Sequence, residues 1–136
     1  MNALTVEASI ENLCEVIDFI NAELGNAHCP PELRDQIDLA VEEIFVNIAN
    51  YAYTPANGNA TISIAVGKEA VIQFEDTGKP YNPLAHPSPD LDKPLMEREI
   101  GGLGIFFVKK IMDSVDYERI GNKNVLTLSK KLNPPH

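Results

Sequence analysis

The sequence predicts one α+β domain in which helices cover a single face of a mostly antiparallel sheet. Three observations favour this class. Periodic segments follow the order β-α-α-β-β-loop-α-β-β, the helical segments carry apolar stripes, and the extended segments alternate apolar and polar residues. The chain has 136 residues, which is the length of one ordinary domain, so we expect residues 1–136 to form a single unit.

The first three elements are predicted to be a strand and two helices. Residues 3–8 form the strand, and Ser9 is a plausible N-cap for a first helix whose apolar residues recur every three or four positions up to Gly25. Pro30 and Pro31 open a second helix, because proline is tolerated in the first turn. That helix is predicted to reach about Tyr53, ahead of Thr54-Pro55.

The remaining elements are two hairpins separated by a long loop and a third helix. Residues 61–66 and 71–76 alternate around a turn at Gly67-Lys68, and residues 115–119 and 125–130 alternate around a turn that begins at Gly121. Between the hairpins, residues 79–100 are rich in proline and charge. A structureless loop of this length is usually a lid or a binding loop, although a surface connection is the plainer alternative.

Composition limits the classes of partner. The net charge is −9 and the pI is about 4.7, so we expect no nucleic-acid partner, because binding phosphates needs clustered basic residues. An acidic surface suits a basic protein partner or simply keeps the protein in solution. We see neither a signal-peptide pattern nor an apolar run of about 18 residues, so we expect no membrane contact and a cytoplasmic location.

The second helix carries the first polar signal. Glu43 and Asn47 are four residues apart, which places them only about 40° apart around a helix. Asn50 continues the same stripe, whereas Glu42 faces elsewhere. A carboxylate and an amide oxygen one turn apart suit a hard cation and an activated water, but taken alone the signal is weak, because a solvated helix face is the more common explanation.

The second signal is Asp76 with Gly78. Ile72 and Phe74 point to the apolar side of their strand, and a period of two places Asp76 on that same side. A carboxylate aimed into a core is costly unless it meets a donor, and an adenine amine would be such a donor. Gly78 would let a flat base approach the backbone. A strand-ending turn is the alternative.

The third signal is the segment Gly101, Gly102, Leu103 and Gly104 at the start of the third helix. Glycines before a helix leave backbone N–H groups free to hold phosphate, and the helix dipole favours the same charge. No Gly-Lys-Ser/Thr follows, so this is not a P-loop. Glycines that simply belong to a loop are the alternative. The prediction of a binding site therefore depends on all three signals occurring in this order.

Three segments in that order, LAVEEIFVNIANYAY, FEDTGKPYNP and IGGLGIFFVKKIMDSVDYER, resemble the ATP-binding boxes of the GHKL (histidine kinase-like) ATPase superfamily. Within it they look most like the bacterial anti-sigma regulatory factors that are serine/threonine protein kinases. The resemblance implies a Bergerat-type two-layer sandwich on a mixed, mostly antiparallel sheet, with ATP and Mg²⁺ as ligands and residues 79–100 as an ATP lid.

The resemblance also implies residue roles. Glu43 would be the general base and Asn47 the Mg²⁺ ligand, with Asn50 nearby. Asp76 would accept from the adenine amine, with Gly78 and Thr127 beside the base. The third-box residues would hold phosphates, and Arg98 is the nearest candidate for the γ-phosphate, since Ile100 rather than arginine precedes Gly101.

The resemblance implies partners as well. These are a small antagonist protein with the sulfate-transporter/anti-sigma-antagonist (STAS) fold, phosphorylated on serine, a sequestered sigma factor, and a second copy in a homodimer. The alternative is a regulatory module that binds ATP and a partner without transferring phosphate. The detached catalytic domain of a histidine kinase fits least well, because none of the three histidines falls in a helical phosphoacceptor setting.

Overall fold

The computed structural model describes residues 1–52, 58–82, 84 and 102–132. The N-terminal half contains strand β1 (Asn2–Glu7), a 3₁₀ turn (Ile10–Asn12), helix α1 (Leu13–Asn26), helix α2 (Pro31–Asn47) and a π-helical turn (Ile48–Ala52). Strands β2 (Asn59–Val66) and β3 (Glu69–Asp76) follow, then helix α3 (Gly102–Ile111) and strands β4 (Ser114–Ile120) and β5 (Lys123–Lys131). This is the predicted order of elements.

The five strands form one sheet with the order β1-β2-β3-β5-β4. Every neighbouring pair in it is antiparallel, so the described sheet is antiparallel throughout rather than mixed. β3 and β5 lie next to each other although the whole 79–100 loop and α3 separate them in sequence. The centre of the sheet is therefore built from two strands that are far apart in sequence.

The core lies between the sheet and the three helices. Alternation within β3 buries Ile72 and Phe74 on the helix-facing side, and they lie opposite Leu128 and Leu126 of β5. The side chains that are almost fully buried include Ile20, Leu24, Ile37, Ile44, Ile62, Ile105 and Leu128. Burial of this apolar surface, at about 25 cal/mol per Å², is what holds the helices on one face.

Two helix ends differ from the prediction. Ser9 precedes a 3₁₀ turn rather than α1 itself, and its side chain makes no capping hydrogen bond. The second helix keeps α geometry only to Asn47 and then widens into the π turn. Its predicted end near Tyr53 lies outside the described residues, as do most of the 79–100 loop, Arg98 and Gly101. Among the described helices, none is long and apolar enough to cross a membrane.

Candidate functional site

Asp76 is a buried carboxylate at the end of β3. Only 4% of its surface is exposed, and it lies on the core face, as the alternation predicts. Its Oδ1 accepts hydrogen bonds from the backbone N–H of Gly78 and from Nδ2 of Asn124, both at 2.9 Å. These donors offset the cost of removing a charge from water. Both bonds that the structure describes fall on Oδ1, which leaves Oδ2 as the oxygen for a further donor.

Asn124 of β5 links Asp76 to the turn that follows β3. It is 4% exposed and lies directly opposite Asp76 in the β3–β5 register. Its Nδ2 donates to Asp76 and also to the carbonyl oxygen of Lys79, at 2.8 Å. Both hydrogens of the amide nitrogen are therefore engaged within the site.

The amide oxygen of Asn124 accepts from three directions. The donors are the hydroxyl of Tyr117 at 2.5 Å, Nη1 of Arg119 at 3.2 Å and the backbone N–H of Tyr81 at 3.3 Å. Arg119 Nη1 also donates to the carbonyl oxygen of Gly78 at 2.8 Å. Asn124 thus connects the ends of β3 and β4 and the turn through residues 77–81. Asn124 is not among the site residues predicted from the sequence.

Thr127 does not lie near Asp76. It pairs with Gln73 in the register, and Gln73 Nε2 lies 3.5 Å from its hydroxyl. Thr127 is three positions beyond Asn124, so the alternation of the strand turns it to the face away from the helices. The structure therefore places Asn124, rather than Thr127, next to the Asp76 carboxylate, and the role of Thr127 beside adenine stays a prediction.

Asn47 is the last α-helical residue of α2 and is also buried, with 4% exposure. Its Nδ2 donates to the carbonyl oxygen of Glu43 at 2.7 Å. Because this bond engages the amide nitrogen within the helix, Oδ1 is the atom that can serve as a ligand. Asn47 and Asp76 line the same cavity, so the first and second predicted signals meet.

Asn50 does not join them. It is exposed and lines a separate cleft with Glu7 and Ser9, at the end of β1. The predicted stripe assumed α-helical periodicity, but the turn beyond Asn47 is a π turn, whose i→i+5 pattern changes the direction of each following side chain. Asn50 therefore lines that cleft in this structure, and its place near the nucleotide stays a prediction.

Glu43 lies against the first turns of α3. A Cβ atom added to Gly104 would come within 2.0 Å of Glu43 Oε2 and 2.6 Å of its Cδ, so glycine is what allows this approach. Burial raises the pKa of the Glu43 carboxyl, and the neighbouring Glu42 carboxylate raises it further. Glu42 itself is exposed, as predicted. Gly102 and Leu103 form the start of the same helix.

The cavity beside Asp76 is small. Its walls include Ile44 and Asn47 of α2, and Tyr117 and Leu126 of the sheet. Its volume of about 20 Å³ leaves room for about one water molecule. A purine is many times larger, so a base can enter only if wall side chains move.

A family model described as a histidine kinase-like ATPase domain matches residues 6–130. The chain belongs to this family. The serine/threonine-protein kinase BtrW of Bordetella bronchiseptica is 30% identical over 105 residues, which cover 75% of this chain and 73% of that protein. Among solved structures, the Acinetobacter baumannii histidine kinase AdeS aligns over 98% of this chain and 70% of its own, with 17% identity and a TM-score of 0.49.

Membership of the histidine kinase-like ATPase family implies that the chain binds ATP and has a kinase-like role. It also explains why Glu43 and Asn47 of α2, Asp76 of β3 and the glycine-containing start of α3 lie on one side of the sheet. One signal could have identified Asn124 from sequence. Its alternation with Leu126 and Leu128 places a polar side chain on the core face of β5, as Asp76 does on β3.

Proposed function

We propose that this chain is a protein serine/threonine kinase that binds Mg-ATP and phosphorylates a serine on a small antagonist protein in a partner-switching circuit. The observation that carries the proposal is the position of Glu43. Its carboxylate is half-buried against the N-terminal turns of α3, one helical turn before Asn47, and its pKa is raised. Family membership and the kinase name of the 30% identical relative support this assignment.

The nucleotide is proposed to bind between α2 and the end of β3. Asp76 Oδ2 would accept from the adenine amine, with Gly78 beside the ring. The first turn of α3, through Gly102, Leu103 and Gly104, would hold phosphate oxygens with its backbone N–H groups and its dipole.

Asn47 suits an ion that keeps most of its ligands from phosphate and water, as Mg²⁺ does. Its Oδ1 is the free end of an amide that its own helix orients. Within the described part of the chain, no group of three or more His, Cys, Asp or Glu residues could form an all-protein cage. When bound, Mg²⁺ supplies neutralisation of the charge that develops on the phosphates.

The transfer step requires a base at the attacking hydroxyl. The serine oxygen of the antagonist attacks the γ-phosphorus, the bond to the β–γ bridging oxygen breaks, and ADP leaves. Glu43 accepts the serine proton. A raised carboxyl pKa makes Glu43 a better proton acceptor than an ordinary glutamate, because the match between its pKa and neutral pH is closer.

The proposed partners are an antagonist of the STAS type, a sigma factor that the kinase sequesters, and a second copy of the chain in a homodimer. The strongly negative net charge favours partners that present basic surfaces. A regulatory module that binds ATP and a partner without phosphotransfer is the second candidate. It is favoured by one observation: Ile100 stands directly before Gly101, where some relatives carry arginine.

Phosphotransfer to a candidate antagonist tests the proposal. The chain, its Glu43→Ala variant and a Glu42→Ala control are each incubated with Mg²⁺, γ-labelled ATP and antagonists encoded near the gene. We expect label on an antagonist serine with the unmodified chain and with Glu42→Ala, because Glu42 is exposed. Glu43→Ala should bind ATP but lower transfer by about 100-fold or more.

Two results would contradict the kinase assignment. If ATP binds but every candidate antagonist stays unlabelled, the regulatory module is the better description. If Glu43→Ala transfers phosphate as fast as Glu42→Ala, the chain is a kinase but Glu43 is not its base.

A further inference from the structure

We propose that Asn124 is the positioning residue through which this chain prefers adenine to purines that carry a carbonyl oxygen in place of the amine. The inference rests on the proposed binding of adenine at Asp76. It adds a residue that acts through Asp76 rather than by touching the base. The supporting observations are the orientation of the Asn124 amide and the oxygen of Asp76 that it engages.

The orientation of the Asn124 amide is fixed by its partners. Three donors, Tyr117 Oη, Arg119 Nη1 and the backbone N–H of Tyr81, surround one end of the amide. Two acceptors, Asp76 Oδ1 and the carbonyl oxygen of Lys79, surround the other end. A flipped amide would set donors against donors and acceptors against acceptors. The oxygen must therefore face the donors, and the nitrogen must face Asp76.

This arrangement selects one oxygen of the Asp76 carboxylate. Asn124 Nδ2 and the Gly78 N–H both donate to Oδ1 at 2.9 Å, and hydrogen bonds to a charged group are among the strongest that a buried side chain makes. Rotation of the carboxylate would break both bonds. Asp76 is therefore held with Oδ2 available as a pure acceptor, which suits an amine and repels a carbonyl oxygen.

The same contacts hold the backbone that would lie beside the base. Asn124 binds the carbonyl oxygen of Lys79 and the N–H of Tyr81, and Arg119 binds the carbonyl oxygen of Gly78. Without Asn124, the turn would lose its hydrogen bonds at Lys79 and Tyr81, and the Asp76 carboxylate would lose one of its two donors. A base would then meet a carboxylate held by the Gly78 N–H alone, and discrimination between amine and carbonyl would weaken.

Paired titrations with ATP and inosine triphosphate test the proposal, since inosine carries a carbonyl oxygen where adenosine carries the amine. Binding to the full chain in Mg²⁺ is measured for the unmodified protein, Asn124→Asp and a matched control, Asn122→Asp. Asn124→Asp keeps the size of the side chain but sets an oxygen against Asp76 Oδ1. Asn122 is exposed in the β4–β5 turn, so its variant adds the same charge without touching the network.

We expect the unmodified chain and Asn122→Asp to prefer ATP by about 100-fold or more, because a site built around a hydrogen bond rejects an analogue that cannot make it. Asn124→Asp should reduce this preference by at least about tenfold, through weaker ATP binding, while inosine triphosphate changes by less than about threefold. A residue that only stabilises the fold would weaken both nucleotides equally. Equal weakening, or an unchanged preference in the folded variant, would overturn the proposal.

A milder variant decides the question if Asn124→Asp does not fold. Tyr117→Phe removes one donor from the Asn124 oxygen and leaves Asp76 untouched. We expect it to lower the preference for ATP by about threefold, the effect of loosening one hydrogen bond of this network. No change in preference would overturn the role of Asn124. Failure of the unmodified chain to bind ATP would instead overturn the proposed nucleotide site itself.

Discussion

Replacing Gly104 by alanine tests whether the position of the Glu43 carboxylate controls phosphotransfer. The added Cβ would lie 2.0 Å from Glu43 Oε2, whereas ordinary contact begins near 3.4 Å. The carboxylate must therefore retreat by roughly 1.4 Å. Because the clashing atom is the far end of a flexible side chain, this movement costs little stability.

The expected result is a catalytic defect in a well-folded protein. A misplacement of about 1 Å at a reacting group can cost about 100-fold in rate, so we expect kcat for phosphotransfer to fall by about that factor. Alanine is favoured over glycine within a helix by up to about 1 kcal/mol, so the free energy of unfolding should change by less than that amount. The backbone N–H at position 104 remains, so the Kd for ATP should stay within about threefold of the unmodified value.

The assay combines single-turnover transfer of labelled phosphate with urea unfolding and an ATP titration. Gly25→Ala is the matched control, since Gly25 lies in α1 and an added Cβ there meets nothing within 4 Å. It should transfer phosphate at the unmodified rate. If Gly104→Ala also does so while folded and saturated with ATP, the position of the Glu43 carboxylate is not critical and the reasoning fails.

Three further predictions concern charge and packing. Asp76→Asn should keep the fold, because one amide oxygen can still accept from Gly78, but should weaken ATP binding by at least about tenfold in a titration, since an NH₂ group replaces the free acceptor. Burial and Glu42 raise the pKa of Glu43, so the acidic limb of the kcat/KM–pH profile should lie at a higher pH than an ordinary glutamate would give. Glu42→Gln should move this acidic limb to lower pH. If the limb does not move, Glu43 is not the titrating base. Leu128→Ala should lower the free energy of unfolding by about 2–5 kcal/mol in urea, because Leu128 is fully buried between the sheet and the helices; a loss below about 1 kcal/mol would contradict that placement.

The pKa shift of Glu43 also has a consequence for stability with a definite sign. A carboxyl whose pKa is raised in the folded state holds its proton more tightly there than in the unfolded chain. Between the two pKa values, the folded state binds more protons, so the contribution of Glu43 to stability decreases as pH rises through that window. The group proposed as the base therefore stabilises the fold least when it is ionised and ready to accept a proton.

The order of elements and the direction of Asp76 could be predicted because both depend on local periodicity. Ile72 and Phe74 set the buried face of β3, and a period of two carries that face to Asp76. The same reasoning placed Glu43 and Asn47 one turn apart on α2. Local patterns determine which way a side chain points, provided that the backbone keeps its regular geometry.

The placements that differ from the predicted ones occur where regular geometry ends or where distant strands meet. Asn50 was assigned to the stripe of Asn47 because the π turn that follows α2 has no recognised sequence signal. Thr127 was matched to a role by residue type, although alternation with Leu126 and Leu128 places Asn124, and not Thr127, on the core face of β5. Only the pairing of Asp76 with Asn124 shows which β5 residue reaches the carboxylate.

The pairing of β3 with β5 also determines when during folding the site can form. Asp76 and Asn124 are 48 residues apart in sequence, so a long loop must close before they meet, and contacts of such separation form slowly. Hairpins β2–β3 and β4–β5 can form earlier, but the first contains Asp76 without Asn124 and the second contains Asn124 without Asp76. A nucleotide that needs both strands binds only the folded chain, and at 100 times its Kd it would stabilise that state by about 2.7 kcal/mol. ATP would therefore protect the central strand pair against unfolding and proteolysis.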